Sequence, residues 1–346
     1  MRRSLIQQVC NREQEVIFMN DKKSMKMKIL QYMSFELFIV IFIIFGLFSQ
    51  NWFTFSNFIM IIKQSSYVGI LAIGITFPLI TAGTDLSVGA IMFMAMSVAA
   101  LMLEKGFPLA LVILTALIIG CLVGIVNAFF VVDVKVMPFI GTLGTMTVLR
   151  GMTLVMTESR ALNIPSYLTS SFGSGKLFGL IPYPAIVFVI LLIIFHIVLT
   201  RTAFGRRVFA CGNNLEAAKK AGLNTRGILY TVYIISGVLA AIAGFVSASQ
   251  IGNVPAGFGK GYEFDAIAAS VLGGTSLLGG SGSILPGVLI GAVTIQMIKT
   301  GLTAMQIDPY LIDIFQALFI LLAVVLDCIK NQVIAKSQSR HIRVAE

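Results

Sequence analysis

Long apolar runs joined by short polar segments occupy most of the chain, and their lengths set the expected architecture. A helix that crosses the hydrocarbon core of a bilayer needs about 20 apolar residues. Runs able to do so fall at 35–50, 64–82, 86–103, 108–131, 138–157, 181–199, 228–249, 264–280, 284–305 and 309–328. The pattern predicts an all-α polytopic membrane protein with about ten transmembrane helices. In two places glycine and polar residues cluster where a continuous helix would be expected: Gly83-Thr84-Asp85-Leu86-Ser87-Val88-Gly89 and Gly279-Gly280-Ser281-Gly282-Ser283. These read as breaks, and eight helices plus re-entrant segments satisfy the same pattern.

Composition excludes a soluble globular protein: 57% of the 346 residues are apolar, 12% are charged and the mean hydropathy is +0.94, against about 25% charged residues in a soluble domain. The net charge of +10 matters through its placement. Seven basic residues precede Ile29, six lie from Arg201 to Arg226 and four follow Cys328, so 17 of 25 cluster in three segments. Basic loops stay in the cytoplasm, which predicts cytoplasmic termini and a cytoplasmic central loop. Six runs precede that loop and four follow it, and both even counts agree with this topology. The expected organisation is a basic N-terminal extension over 1–34, a transmembrane domain over 35–328 with a cytoplasmic loop at 200–227, and a tail over 329–346. The segment from Glu158 to Leu180, with only Arg160 and Lys176 as basic residues, reads as an outer loop. The first apolar run lacks a small-residue cleavage site and is expected to be retained.

Few residues offer chemistry. Cys10, Cys121, Cys211 and Cys328 have neither metal-ligand nor disulfide-framework spacing. His196 stands alone in an apolar run, and no nucleophile and base are paired, which argues against a membrane-embedded enzyme. Gly252 to Gly261 has the glycines of a phosphate loop but not its Lys-Ser/Thr sequence. Pairs such as Gly120 and Gly124, Ala240 and Gly244, and Gly287 and Gly291 let helices approach closely. A carboxylate at mid-bilayer is costly, and Asp85 has two readings: a cap on a helix starting at Leu86, or a residue that lines a pathway. Arg150 is expected to pair or snorkel. Glu263 and Asp265 either complement a helix dipole or face an entrance. The two breaks lie in opposite halves, and breaks at membrane depth are where transporters bind or gate.

The central loop reads as a short helix. Asn214 is a good N-cap, Glu216 suits the first turn, Lys219 and Lys220 the last, and Gly222 is a stop. Leu215, Ala218 and Gly222 share a small, smooth face, held by its own bundle or by a cytoplasmic partner.

Three ordered blocks carry a family resemblance: Gly74 through Gly89; Phe139-Ile140-Gly141-Thr142-Leu143-Gly144 with Leu149-Arg150-Gly151; and Phe204 through Gly282. In them the chain resembles the ribose-type branch of ATP-binding cassette importer permeases, whose members carry ribose, xylose, arabinose, galactose, allose or the autoinducer-2 signal. The resemblance covers nearly everything after about residue 35. It departs at Gly83-Thr84, where the family usually has a second Gly and Ile before the Asp, and at Phe77 and Pro78, where Val or Ile is common. A proline at 78 is expected to bend or break the second helix.

The resemblance implies a permease subunit in a bacterial inner membrane that imports a monosaccharide. Gly212, Asn213, Asn214, Leu215, Glu216, Ala217, Ala218, Lys219 and Gly222 then form the segment that couples to the ATPase. Thr76, Asp85, Ser87, Thr142, Thr145, Glu263, Asp265, Thr275 and Ser276 are the candidate pathway residues. The implied partners are an ATPase subunit that carries ATP and Mg, an extracytoplasmic sugar-binding protein and a second permease copy. No cofactor is expected on this chain, nor any nucleic-acid partner. The rival is an ion-coupled secondary transporter with Asp85 or Glu263 as the coupling carboxylate.

Overall fold

The computed structural model describes residues 35, 36, 38–49 and 52–308 and separate positions between 311 and 325. The N-terminal extension, the tail and most of the run 309–328 lie outside the described residues. In chain order the helices are α1 (Phe38–Phe48), α2 (Phe55–Ile80), α3 (Val88–Glu104), α4 (Leu109–Ala128), α5 (Pro138–Thr157), the single turn α6 (Ser166–Leu168) and α7 (Tyr183–Arg201). Then come α8 (Ala203–Asn213), α9 (Leu215–Lys220), α10 (Thr225–Ile251), α11 (Tyr262–Leu272) and α12 (Leu289–Ala304). Wider π-helical turns extend α4 to Asp133 and precede α12 from Ile284. Six of these elements are long and apolar enough to cross a membrane.

Helix α2 forms the axis of the bundle. A helix that is apolar all round belongs in an interior, and every residue from Gly69 to Ile80 is buried, with α10, α11, α12 and α7 packed around the helix. No hydrophobic effect joins helices within a bilayer, so small residues must permit close contact. The small-residue pairs act as helix packing elements. A Cβ on Gly120 would lie 2.3 Å from the Gly237 carbonyl oxygen, where α4 crosses α10, and one on Gly291 would lie 1.9 Å from the Ala269 oxygen, where α12 meets α11.

Three expectations change. The second helix starts at Phe55, before 64, because the polar residues Asn57, Lys63, Gln64, Ser65 and Ser66 fit within it. Pro78 does not interrupt it: the helix runs two residues further, to Ile80, and the Gly83 N–H closes its end on the Pro78 carbonyl at 2.9 Å. The run 264–280 is not one helix. Helix α11 stops at Leu272, and its 11 residues rise about 16 Å, half of the roughly 30 Å hydrocarbon core. Gly273–Ser283 then continues without regular helix.

The bundle has two rims. On the first, α7 leads into α8 and α9, and Asp133 at the end of α4 pairs with Arg226 at the start of α10, with Nε 2.8 Å from Oδ1. On the second, Arg160 lies 3.6 Å from Glu104. There β1 (Leu162–Asn163) pairs antiparallel with β4 (Asn253–Val254), and β2 (Lys176–Leu177) forms a hairpin with β3 (Ile181–Pro182).

Candidate functional site

Both breaks are present, and the second meets the end of α2, just ahead of the first, and the end of α8. The Gly280 N–H donates to the Ile80 carbonyl at 2.9 Å, tying the second break to the end of α2. Gly212, near the end of α8, fits against the same place: a Cβ there would lie 1.9 Å from the Ile80 oxygen and 2.9 Å from the Gly280 nitrogen. Gly279 and Gly280 take positive φ of 85° and 76°, conformations open to glycine at no steric cost. Three segments far apart in the chain thus form one backbone junction with no room for side chains.

The segment expected to couple to an ATPase continues from this junction. The Ala217 N–H donates to Asn214 Oδ1 at 2.9 Å, which caps α9, and Gly222 ends the turn with φ of 81°. Gly212 and Asn213 belong to α8, not to the short helix. The expected smooth face is corrected as well. Ala218 is buried in the core of its own bundle, whereas Leu215, Glu216, Lys219 and Lys220 are exposed. A six-residue helix is marginal alone, and Ala218 is where its own bundle grips it.

Asp85 is a buried hub. Its Oδ1 accepts from the Ser87 N–H at 3.0 Å, the Ser87 hydroxyl at 2.6 Å and Asn127 Nδ2 at 3.3 Å. Its Oδ2 accepts from the Ser236 hydroxyl at 2.7 Å. The capping reading holds only in a modified form, because the helix starts at Val88 and the carboxylate closes a tight turn before it. What the carboxylate chiefly does is bind the first break to α4 and α10. Thr142 of α5 joins by accepting the Leu86 N–H at 3.1 Å. Charged acceptors with several donors make strong hydrogen bonds at low dielectric.

Arg150, Glu263 and Asp265 are also committed. Arg150 lies 3.5 Å from Glu263 and donates to the Gly259 carbonyl at 3.0 Å, so it pairs internally. Asp265 forms an ion pair with Lys299, whose ammonium sits 5.5 Å from the centre of the Tyr262 ring. Thr76 and Ser270 pair their hydroxyls between α2 and α11. Among the candidate pathway residues, Thr76, Asp85, Ser87, Thr142, Glu263, Asp265 and Thr275 are buried inside this chain. Thr145 and Ser276 reach its surface. His196 has no carboxylate partner among the described residues.

Sequence reading missed Asn127, Ser236, Ser270 and Lys299. Each had a signal: a polar or ionisable residue within an apolar run needs a partner inside the bundle.

Helix α5 is exceptional on the outside. Of the six long apolar helices it is the least apolar and the least buried, with 17% of its most apolar stretch covered. Gly144, Thr147 and Gly151 lie on its exposed side. A groove of about 570 Å³ between α4 and α5 is lined by Val123, Phe130, Ile140, Gly144 and Thr145 among others.

Comparison with known proteins matches residues 57–324 to the family described as branched-chain amino acid transport system / permease component. The ribose import permease protein of Haemophilus influenzae is 37% identical over 303 residues, covering 86% of this chain and 93% of that protein. The galactofuranose transporter permease protein of Escherichia coli K12 is 40% identical over 268 residues, or 77% and 78% of the two chains. The autoinducer 2 import system permease protein of Yersinia enterocolitica is 35% identical over 290 residues, or 84% and 80%. No solved structure matches.

Proposed function

Because the chain belongs to the family of branched-chain amino acid transport system permease components, we propose that it is the membrane-spanning subunit of an ATP-driven importer for a monosaccharide or a related polyhydroxy solute. Its similarity to permeases named for ribose, galactofuranose and autoinducer 2 supports that substrate class. The chain itself carries out no covalent chemistry. ATP and Mg are held by a separate ATPase subunit, and the solute arrives on an extracytoplasmic binding protein.

The observation that carries this reading is the junction of Ile80, Gly212 and Gly280. A partner that moves α9 moves Gly212, and through it the second break and the end of α2, which leads into the first. A switch requires differential contacts in its two states, and this junction supplies a contact that such motion makes or loses. The exposed Leu215, Glu216, Lys219 and Lys220 face the ATPase, while Ala218 holds the helix to its own bundle.

The rim bearing α8 and α9 is cytoplasmic, in agreement with the basic residues from Arg201 to Arg226. In this topology α3 with the break before it makes one crossing, as does α11 with the break after it. Those crossings, α1, the other long helices and the run 309–328 make ten, with both termini inside.

The pathway runs along α5 against a second permease copy. A lipid-facing helix should be the most apolar of the set, whereas α5 exposes glycine and threonine. With most candidate polar residues buried inside the chain, the exposed Thr147 and the half-buried Thr145 are the groups α5 has left for weak polar contacts with a sugar. An ion-coupled mechanism is not favoured, because Asp85, Glu263 and Asp265 are each engaged internally.

The test is sugar uptake into proteoliposomes that contain the chain, with and without its ATPase and binding protein, and with and without ATP. Uptake that requires all of them supports the proposal, and gradient-driven uptake by this chain alone overturns it.

A further inference from the structure

At the second rim, between α1, α2 and α12, lies an open recess of about 1000 Å³. It shares Lys63 and Gln64 with a smaller cavity of about 270 Å³ between α2 and α10. Besides Lys299, two lysines line the recess. Lys63 comes from α2 and Lys176 from the β2–β3 hairpin, close enough for their charges to repel. Neither forms an ion pair among the described residues. Their neighbours differ in this respect, since Arg160 of the same loop is paired with Glu104 and Lys299 in the recess wall with Asp265.

Deeper in, Gln296 is only 4% exposed. It donates from Nε2 to Gln64 Oε1 at 2.7 Å, while its own Oε1 has no partner among the described residues. A buried polar atom left unpaired is costly, and this one adjoins a space large enough for a ligand. Next in the chain to residues that line the recess, exposed aromatic rings stand ready: Phe53 and Phe55, on either side of Thr54, are 65% and 63% exposed, and Phe178, two residues past Lys176, is 89% exposed.

Two facing ammonium groups call for an anion, the orphaned amide oxygen for a hydroxyl donor, and the exposed aromatic rings for hydrocarbon. One class of ligand combines all three. We propose that this recess binds an anionic phospholipid of the phosphatidylglycerol type. Its phosphate lies against Lys63 and Lys176, its headgroup hydroxyls reach the Gln64–Gln296 pair, and its acyl chains follow Phe53 and Phe55. The proposal requires only that this rim lie at a membrane surface. It does not depend on what the protein transports.

The experiment is native mass spectrometry of the purified full-length protein in detergent, titrated with phosphatidylglycerol and, separately, phosphatidylcholine. The expected result is a preference for phosphatidylglycerol that falls about thirtyfold in Lys63→Gln/Lys176→Gln. The preference should be kept in Lys63→Arg/Lys176→Arg, which preserves the charge, and in Lys260→Gln, an exposed lysine outside the recess. Melting temperatures of the variants confirm that each is folded. Equal binding of the two lipids in the wild type would overturn the proposal, as would an unchanged preference in the folded double glutamine variant. Displacement of the lipid by millimolar inorganic phosphate would also overturn it, by marking a site for soluble anions. Loss of binding-protein docking without a change in lipid preference would assign the lysines to an acidic protein surface instead.

Discussion

Replacing Gly212 with alanine should uncouple transport more than it unfolds the protein. The added methyl would lie 1.9 Å from the Ile80 carbonyl oxygen, whereas an ordinary carbon–oxygen contact is near 3.4 Å, so the two backbones must part by roughly 1.5 Å. That displacement takes the Ile80 oxygen away from the Gly280 N–H, now 2.9 Å away. Overpacking costs about 1–3 kcal/mol and the lost hydrogen bond about 1 kcal/mol. If the junction closes in only one transport state, about 2 kcal/mol moves the equilibrium between states by about thirtyfold. If it stays closed in both, the cost falls on stability alone and the equilibrium does not move. The assay is ATP-driven uptake in proteoliposomes with the melting temperature measured alongside, and Gly257→Ala as the control. A Cβ on Gly257 meets nothing within 4 Å and its φ is ordinary. Gly212→Ala should lower uptake several-fold while Gly257→Ala changes neither measurement. Wild-type uptake by Gly212→Ala would refute the coupling argument, and so would a loss of uptake fully explained by a lower melting temperature.

Three further outcomes are expected. Asp85→Ala leaves the donors of Ser87, Asn127 and Ser236 without their acceptor and should destabilise by about 3–5 kcal/mol. Asp85→Asn, which keeps one acceptor oxygen, should cost clearly less in a detergent unfolding series, and equal losses would remove the hub. Arg150→Met and Glu263→Gln should be non-additive in a double-mutant cycle by about 1 kcal/mol or more, because each leaves the other unpaired in a buried place; additive effects would show that the 3.5 Å approach is incidental. Leu215→Arg, on the exposed face of α9, should weaken ATPase association in pull-down at an unchanged melting temperature. Ala218→Glu should lower the melting temperature first, since it puts a charge into the core, and a reversal of the two would mean that α9 presents the opposite face to its partner.

Much of this was legible from residues alone. Apolar run lengths are a direct response to bilayer thickness, so the helices near 86–103, 108–131 and 138–157 appear almost where they were expected. Glycine clusters interrupt a helix whatever surrounds them, and both breaks are where their composition placed them. The cap, charges and stop of α9 are local chemistry, and each is realised at the residue named for it. Even Asp85 announced itself, because a carboxylate in an apolar run needs a partner.

Only the tertiary structure decided who the partners are. The distant donors to Asp85 come from residues 127 and 236, the ion pair of Asp265 from 299, and the second break joins 280 to 80 with 212 packed against both. No local pattern encodes such distances, since helix spacing defines which residues share a face but not which face meets which. For the same reason the sequence made α9 a helix, yet could not tell that Ala218 would point inward and Leu215 outward. The half-length of α11 was missed too: Val271 and Leu272 suit a continued helix as well as a stopped one. Gly273 and Gly274 follow directly, the second with φ of 91°, so the stop itself is local; where the chain then goes, to the end of α2, is set only once the bundle is assembled.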